Sequence, residues 1–65
     1  MIKVKTKKGH SFLNVLNILR AEQDEKENVK IYLINGDYTE TTEEFDVVID
    51  KIEKMLIRIA GGDRV

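Results

Sequence analysis

The sequence predicts an α+β domain: a small antiparallel β-sheet of about three or four strands over residues 1–40 or so, with one long C-terminal α-helix packed on it over about residues 42–60. Three observations predict it. The run 41–60 repeats apolar residues at helical spacing, residues 1–7 alternate apolar with lysine, and Asn35-Gly36 stands between two strand-like stretches.

Phe45, Val48, Ile49, Ile52, Met55, Leu56 and Ile59 recur at three- and four-residue steps, so they share one face of a helix roughly 25 Å long. That face requires cover from the sheet. Thr41 and Glu44 have the spacing of a capping box, in which Thr41 accepts from the Glu44 N–H while Glu44 reaches back, and Gly61-Gly62 marks the stop. Glu43, Glu44 and Asp46 crowd the positive end of the helix dipole, Lys54 and Arg58 lie towards its negative end, and Asp50 precedes Lys54 by one turn.

In the first strand Ile2, Val4 and Thr6 fall on one side and Lys3, Lys5 and Lys7 on the other, before a turn at Lys8-Gly9. Residues 10–23 fit two conformations. Phe12, Val15, Leu16 and Leu19 form a helical face that Ser11 could cap, giving a βαββα arrangement. Alternatively a short strand at 10–13, a tight turn at 14–17 held by its asparagines and a strand from about 18 to 23 give an extended segment. A charged loop at 24–28 leads to a strand at 29–34, with Val29, Ile31 and Leu33 on one side. A two-residue type I′ loop at Asn35-Gly36 would pair Leu33 with Tyr38 and Tyr32 with Thr39. Tyr38 then joins Leu33 on the helix side, Tyr32 and Ile34 look away, and Glu40 lands opposite Ile31, where the ladder should fray. Residues 63–65 read as a loose tail.

The chain has 65 residues, 42% hydrophobic and 35% charged, which is one domain near the lower size limit for folding without staples. It has no cysteine, so disulfides, thiolate metal sites and cysteine nucleophiles are excluded together. The apolar runs are too short to cross a bilayer and residues 1–20 lack the apolar core of a signal peptide, which points to no membrane insertion and a cytoplasmic location. The net charge of −1 conceals an asymmetry. Residues 1–20 carry Lys3, Lys5, Lys7, Lys8 and Arg20 with no acid, whereas residues 21–50 carry only Lys26 and Lys30 among their many acids.

Catalysis finds little support in these residues. His10-Ser11 is the one pairing of base and hydroxyl, and neighbours on a strand point to opposite faces. One histidine with scattered carboxylates lacks metal-ligand spacing, Glu43-Glu44 reads as helix-start electrostatics, and no glycine-rich phosphate loop precedes a helix. We expect no catalytic, cofactor or metal site, and no enclosed ligand pocket in so short a chain.

Leu13-Asn14 with Ile18 and Glu22 at successive four-residue steps, Asn35-Gly36, Tyr38, a Thr-x-x-Glu entry at Thr41 and Glu44, Met-Ile-x-Val at residues 1–4 and a glycine at Gly9 together resemble the small FlbD/SwrD-type flagellar proteins. The likeness spans residues 1 to about 50, with a longer loop before Val29 and a shorter strand after Gly36. It implies a small antiparallel sheet with a C-terminal helix and favours strands over helix for residues 10–23. It is not taken to imply a flagellar role.

The function expected is therefore that of a small interaction or assembly protein of bacterial or phage type, binding a protein partner or, above all, its own copies. Tyr32 and Ile34 on the sheet with Val47 and Ile57 on the helix flank are the residues expected to make the contact. The alternative is a nucleic-acid-binding module using Lys3, Lys5, Lys7, Lys8 and Arg20. Against it stands the lack of an aromatic residue within the lysine strand to stack on a base.

Overall fold

The computed structural model describes residues 1–62, so the tail expected at 63–65 lies outside the described residues. Among the described residues five strands, β1 (Ile2–Thr6), β2 (Gly9–Leu13), β3 (Ile18–Gln23), β4 (Val29–Leu33) and β5 (Tyr38–Thr41), precede one α-helix, α1 (Phe45–Ile57). They form two antiparallel sheets, β1–β2 and β3–β4–β5. The fold is α+β as predicted, with its strands divided between two sheets instead of gathered in one.

Residues 10–23 are extended, broken by a 3₁₀ turn at Val15–Asn17, and the βαββα alternative is excluded. Asn14 makes the break. Its side chain accepts the Leu16 N–H at 3.0 Å, and its carbonyl accepts the Asn17 N–H at 2.9 Å. Burial shows why the helical pattern was misleading: Leu13 and Val15 are buried, whereas Leu16 and Leu19, which a helix would have turned inward, are each 61% exposed.

The β4–β5 register differs from the expected one by a single residue. Tyr32 faces Tyr38, Ile31 faces Thr39, Lys30 faces Glu40, and the ladder runs without fraying to Val29 opposite Thr41. A type I′ loop needs positive φ at both central residues. Only Gly36 has it here, at 96°, so the loop lengthens to residues 34–36, closed by Gly36 N–H to Leu33 O (3.1 Å) and Leu33 N–H to Asp37 O (2.9 Å). Asn35 instead uses its side chain to accept the Asp37 N–H at 3.0 Å. Since side chains alternate, the slip moves Tyr38 to the outer face and turns Thr39 and Thr41 inward.

One core joins both sheets to the helix. Ile2, Val4 and Leu13 enter it from the first sheet, Val29 and Ile31 from the second and Val48 from α1, with Ile18, Ala21, Leu33, Phe45, Ile52 and Met55 packed around them. The helix starts later than expected because Thr41 is occupied elsewhere. Its hydroxyl donates to the Lys5 carbonyl at 2.6 Å and accepts the Glu43 N–H at 3.1 Å, so no capping box forms, and Glu44 holds the N-cap position without a side-chain bond.

From there α1 runs back along β1. Glu43 meets Lys5, Lys51 meets the Lys3 carbonyl, and Met55 and Arg58 lie beside Ile2. The helix then passes the beginning of β1, and its stripe loses cover. Leu56 is 43% exposed and Ile59 47%, so the apolar face is buried over its first turns only, not along its length. The backbone does not stop before the glycine pair; it widens into a π turn over Arg58–Gly62.

Candidate functional site

The β1–β2 ladder sorts its residues onto two faces. Ile2 opposite Leu13 and Val4 opposite Ser11 face the core, while Lys3 opposite Phe12 and Lys5 opposite His10 face outward. Phe12 is 65% exposed. Lys7 and Lys8 form the adjoining turn, and none of these four lysines enters an ion pair among the described residues. An aromatic ring is thus interleaved with the lysines after all, supplied by the neighbouring strand. The signal was available in the sequence as an apolar residue out of phase in a short strand, but it carries meaning only once the register is known.

Arg20 does not belong to this group. It lies on the outer face of β3–β4–β5, with its guanidinium 4.3 Å from the Tyr32 ring centroid and its Nε donating to Glu22 at 2.8 Å. Tyr32 stacks on Tyr38 with centroids 5.7 Å apart, and Lys30 sits 5.4 Å from the Tyr38 centroid. On that face the cations and rings are committed to one another.

The two sheets touch where the Lys5 carbonyl accepts from Thr42 N–H at 3.0 Å and from the Thr41 hydroxyl. Beyond this point β1 and β5 diverge around an open groove of about 520 Å³, with Thr6, Lys7 and Lys8 on one wall and β5 on the other. Antiparallel alternation directs the main-chain groups of Tyr38 and Glu40 away from β4 and towards this groove.

Glu43 has a different role from the one expected of a helix-start acid. Its carboxylate, 12% exposed, accepts the Lys5 N–H at 2.7 Å and the Lys51 ammonium at 2.5 Å. Burial pushes its pKa up, but the Lys51 hydrogen bond, the Lys5 N–H and the charges of both lysines outweigh that and hold the carboxyl below its ordinary value. Lys51 also donates to the Lys3 carbonyl at 2.8 Å. Together they cover the edge of β1 that β2 leaves unpaired. In the 24–28 loop, Asp24 accepts the Asn28 and Lys26 N–H groups at 2.9 Å each, and the Asn28 bond leads in lowering its pKa.

The four residues expected to contact a partner are dispersed. Tyr32 lies between Arg20 and Tyr38 on the outer sheet face and Ile34 in the β4–β5 loop, while Val47 and Ile57 are exposed on α1 about 15 Å apart along its axis. The apolar continuity lies elsewhere, in the overhang of Leu56 and Ile59. His10 and Ser11 point to opposite faces of their hairpin. Among the described residues no group of three or more His, Cys, Asp or Glu side chains could hold a metal ion, and no helix is long and apolar enough to cross a membrane. Compared with protein-family models, curated proteins and solved structures, the chain matches none.

Proposed function

We propose that this is a small non-enzymatic assembly protein that associates with its own copies through the overhanging end of α1. The observation that carries the reading is the apolar stripe that continues past the sheet, where Leu56 and Ile59 stay about half exposed on the same helix face that Val48 and Ile52 bury. A second copy is the occupant that best fits. Among the described residues only four side chains, Val4, Val29, Ile31 and Val48, are fully buried, so a domain this thin gains stability from further apolar burial, and a net charge of −1 sets up little repulsion between copies. A two-fold arrangement lets the same overhang serve both partners.

Light scattering coupled to size exclusion tests this. The full chain is expected to elute at a multiple of its 7.5 kDa mass, and Leu56→Lys or Ile59→Lys to return it to monomer with its circular dichroism unchanged. A monomer at every concentration would end the proposal.

A further inference from the structure

We propose that the outer face of the β1–β2 hairpin binds single-stranded nucleic acid, with Phe12 stacking on a base and Lys3 and Lys5 meeting the flanking phosphates. This is independent of self-association, since it uses a strand face and not the helix end.

The ring and the cations lie side by side without being spent on each other or on acids. Lys3 and Phe12 are direct cross-strand partners, as are Lys5 and His10, and these pairs project from the side of the ladder opposite the core. No ion pair neutralises Lys3, Lys5, Lys7 or Lys8 among the described residues, and residues 1–20 contain no acid. Glu43, whose charge also acts on Lys5, is already held by Lys51. Lys7 and Lys8 extend the positive strip round the turn, though there they share the groove with Glu27 and Glu40. An exposed ring offers a base its flat face whatever the sequence, while lysines about 7 Å apart along one strand follow a backbone of phosphates.

Single strands fit this face better than the other polyanions. A duplex keeps its base faces stacked and gives Phe12 nothing to lie on. An anionic bilayer wants a continuous apolar face, whereas here Phe12 is the one large apolar side chain among the paired outward residues, set across from Lys3 with His10 across from Lys5.

The test is fluorescence anisotropy of the intact chain with a short labelled oligothymidylate. Duplex DNA of equal length and phosphatidylserine vesicles are run beside it. Binding to the single strand is expected at low salt, with log K falling against log salt at a slope of about −3, as four phosphate contacts require. Phe12→Ala should weaken binding about ten-fold with the slope unchanged, and Lys3→Gln with Lys5→Gln should flatten the slope by about 1.4. All three side chains are exposed, so thermal melts of the variants are expected to match the parent. Absence of binding in low salt, equal or tighter binding to duplex or vesicles, or indifference to Phe12→Ala in a folded variant would each overturn the proposal.

Discussion

The two outer sheet faces both set cations beside aromatic rings and end in opposite states. On β3–β4–β5, Arg20 lies over Tyr32 and bonds Glu22, Tyr32 stacks on Tyr38, and Lys30 approaches the Tyr38 ring while facing Glu40 across the ladder. On β1–β2, Lys3, Lys5 and Phe12 stand next to one another with no such closure among the described residues. The difference arises from strand composition: Arg20 and Glu22 on β3, Lys30 and Tyr32 on β4, and Tyr38 and Glu40 on β5 supply cations, acids and rings within reach of one another, whereas β1 and β2 carry no acid at all. A face whose charges are mutually satisfied stabilises the fold; one whose charges are not is left to meet something else.

Breaking the core they share should destroy both faces together. Ile31 is fully buried in the second sheet and packs in the same cluster as Val4 of the first. Ile31→Ala is expected to cost about 3 kcal/mol, comparable to the whole stability of a domain this small. Chemical denaturation should show the variant largely unfolded, with no residual cooperative unit from either sheet. A surviving transition would mean that the two sheets fold separately and that the contrast between their faces has no common frame.

Glu43 gives a finer way to separate them, because its carboxylate secures β1 through the Lys5 N–H and Lys51. Glu43→Gln is expected to cost about 1 to 2 kcal/mol, a charged hydrogen bond discounted for the partial exposure of Lys51. The folded carboxyl titrates below its ordinary 4.5, so its contribution is complete above that pH and is lost as pH falls through the lower folded value. The parent should therefore lose more stability than Glu43→Gln as melts are repeated from neutral pH into that acid range. Parallel curves would assign the acid sensitivity to another carboxylate.

Much of this fold was legible in the sequence, and the parts that were not share a cause. The alternation of Ile2 and Val4 with lysines, and the asparagines Asn14 and Asn17 at the two ends of the 14–17 turn, express local rules, and local rules placed β1 and offered the strand–turn–strand path. Register is not local. Asn35-Gly36 suits loops of two residues and of three, and that one residue decided whether Tyr38 joined the core or Tyr32. The β1–β2 site was hidden for a similar reason: Phe12 is distant from Lys3 in sequence and is brought beside it only by pairing. Glu43 misled because proximity to a helix start is visible in a sequence, whereas the unpaired edge of a strand far away in the chain is not.

The smallest effect sharpens the comparison most. Tyr38→Ala removes a ring stacked on Tyr32 and approached by Lys30, and should cost about 1 kcal/mol by thermal melt. Phe12→Ala removes a ring of similar size that is 65% exposed and has no aromatic partner among the described residues, and should change stability by less than about 0.5 kcal/mol. If the ring on β2 proved as costly to delete as the ring on β5, Phe12 would be a packing residue that the fold requires. If it is nearly free, the chain keeps an exposed ring in water for no structural gain, beside lysines that enter no ion pair among the described residues.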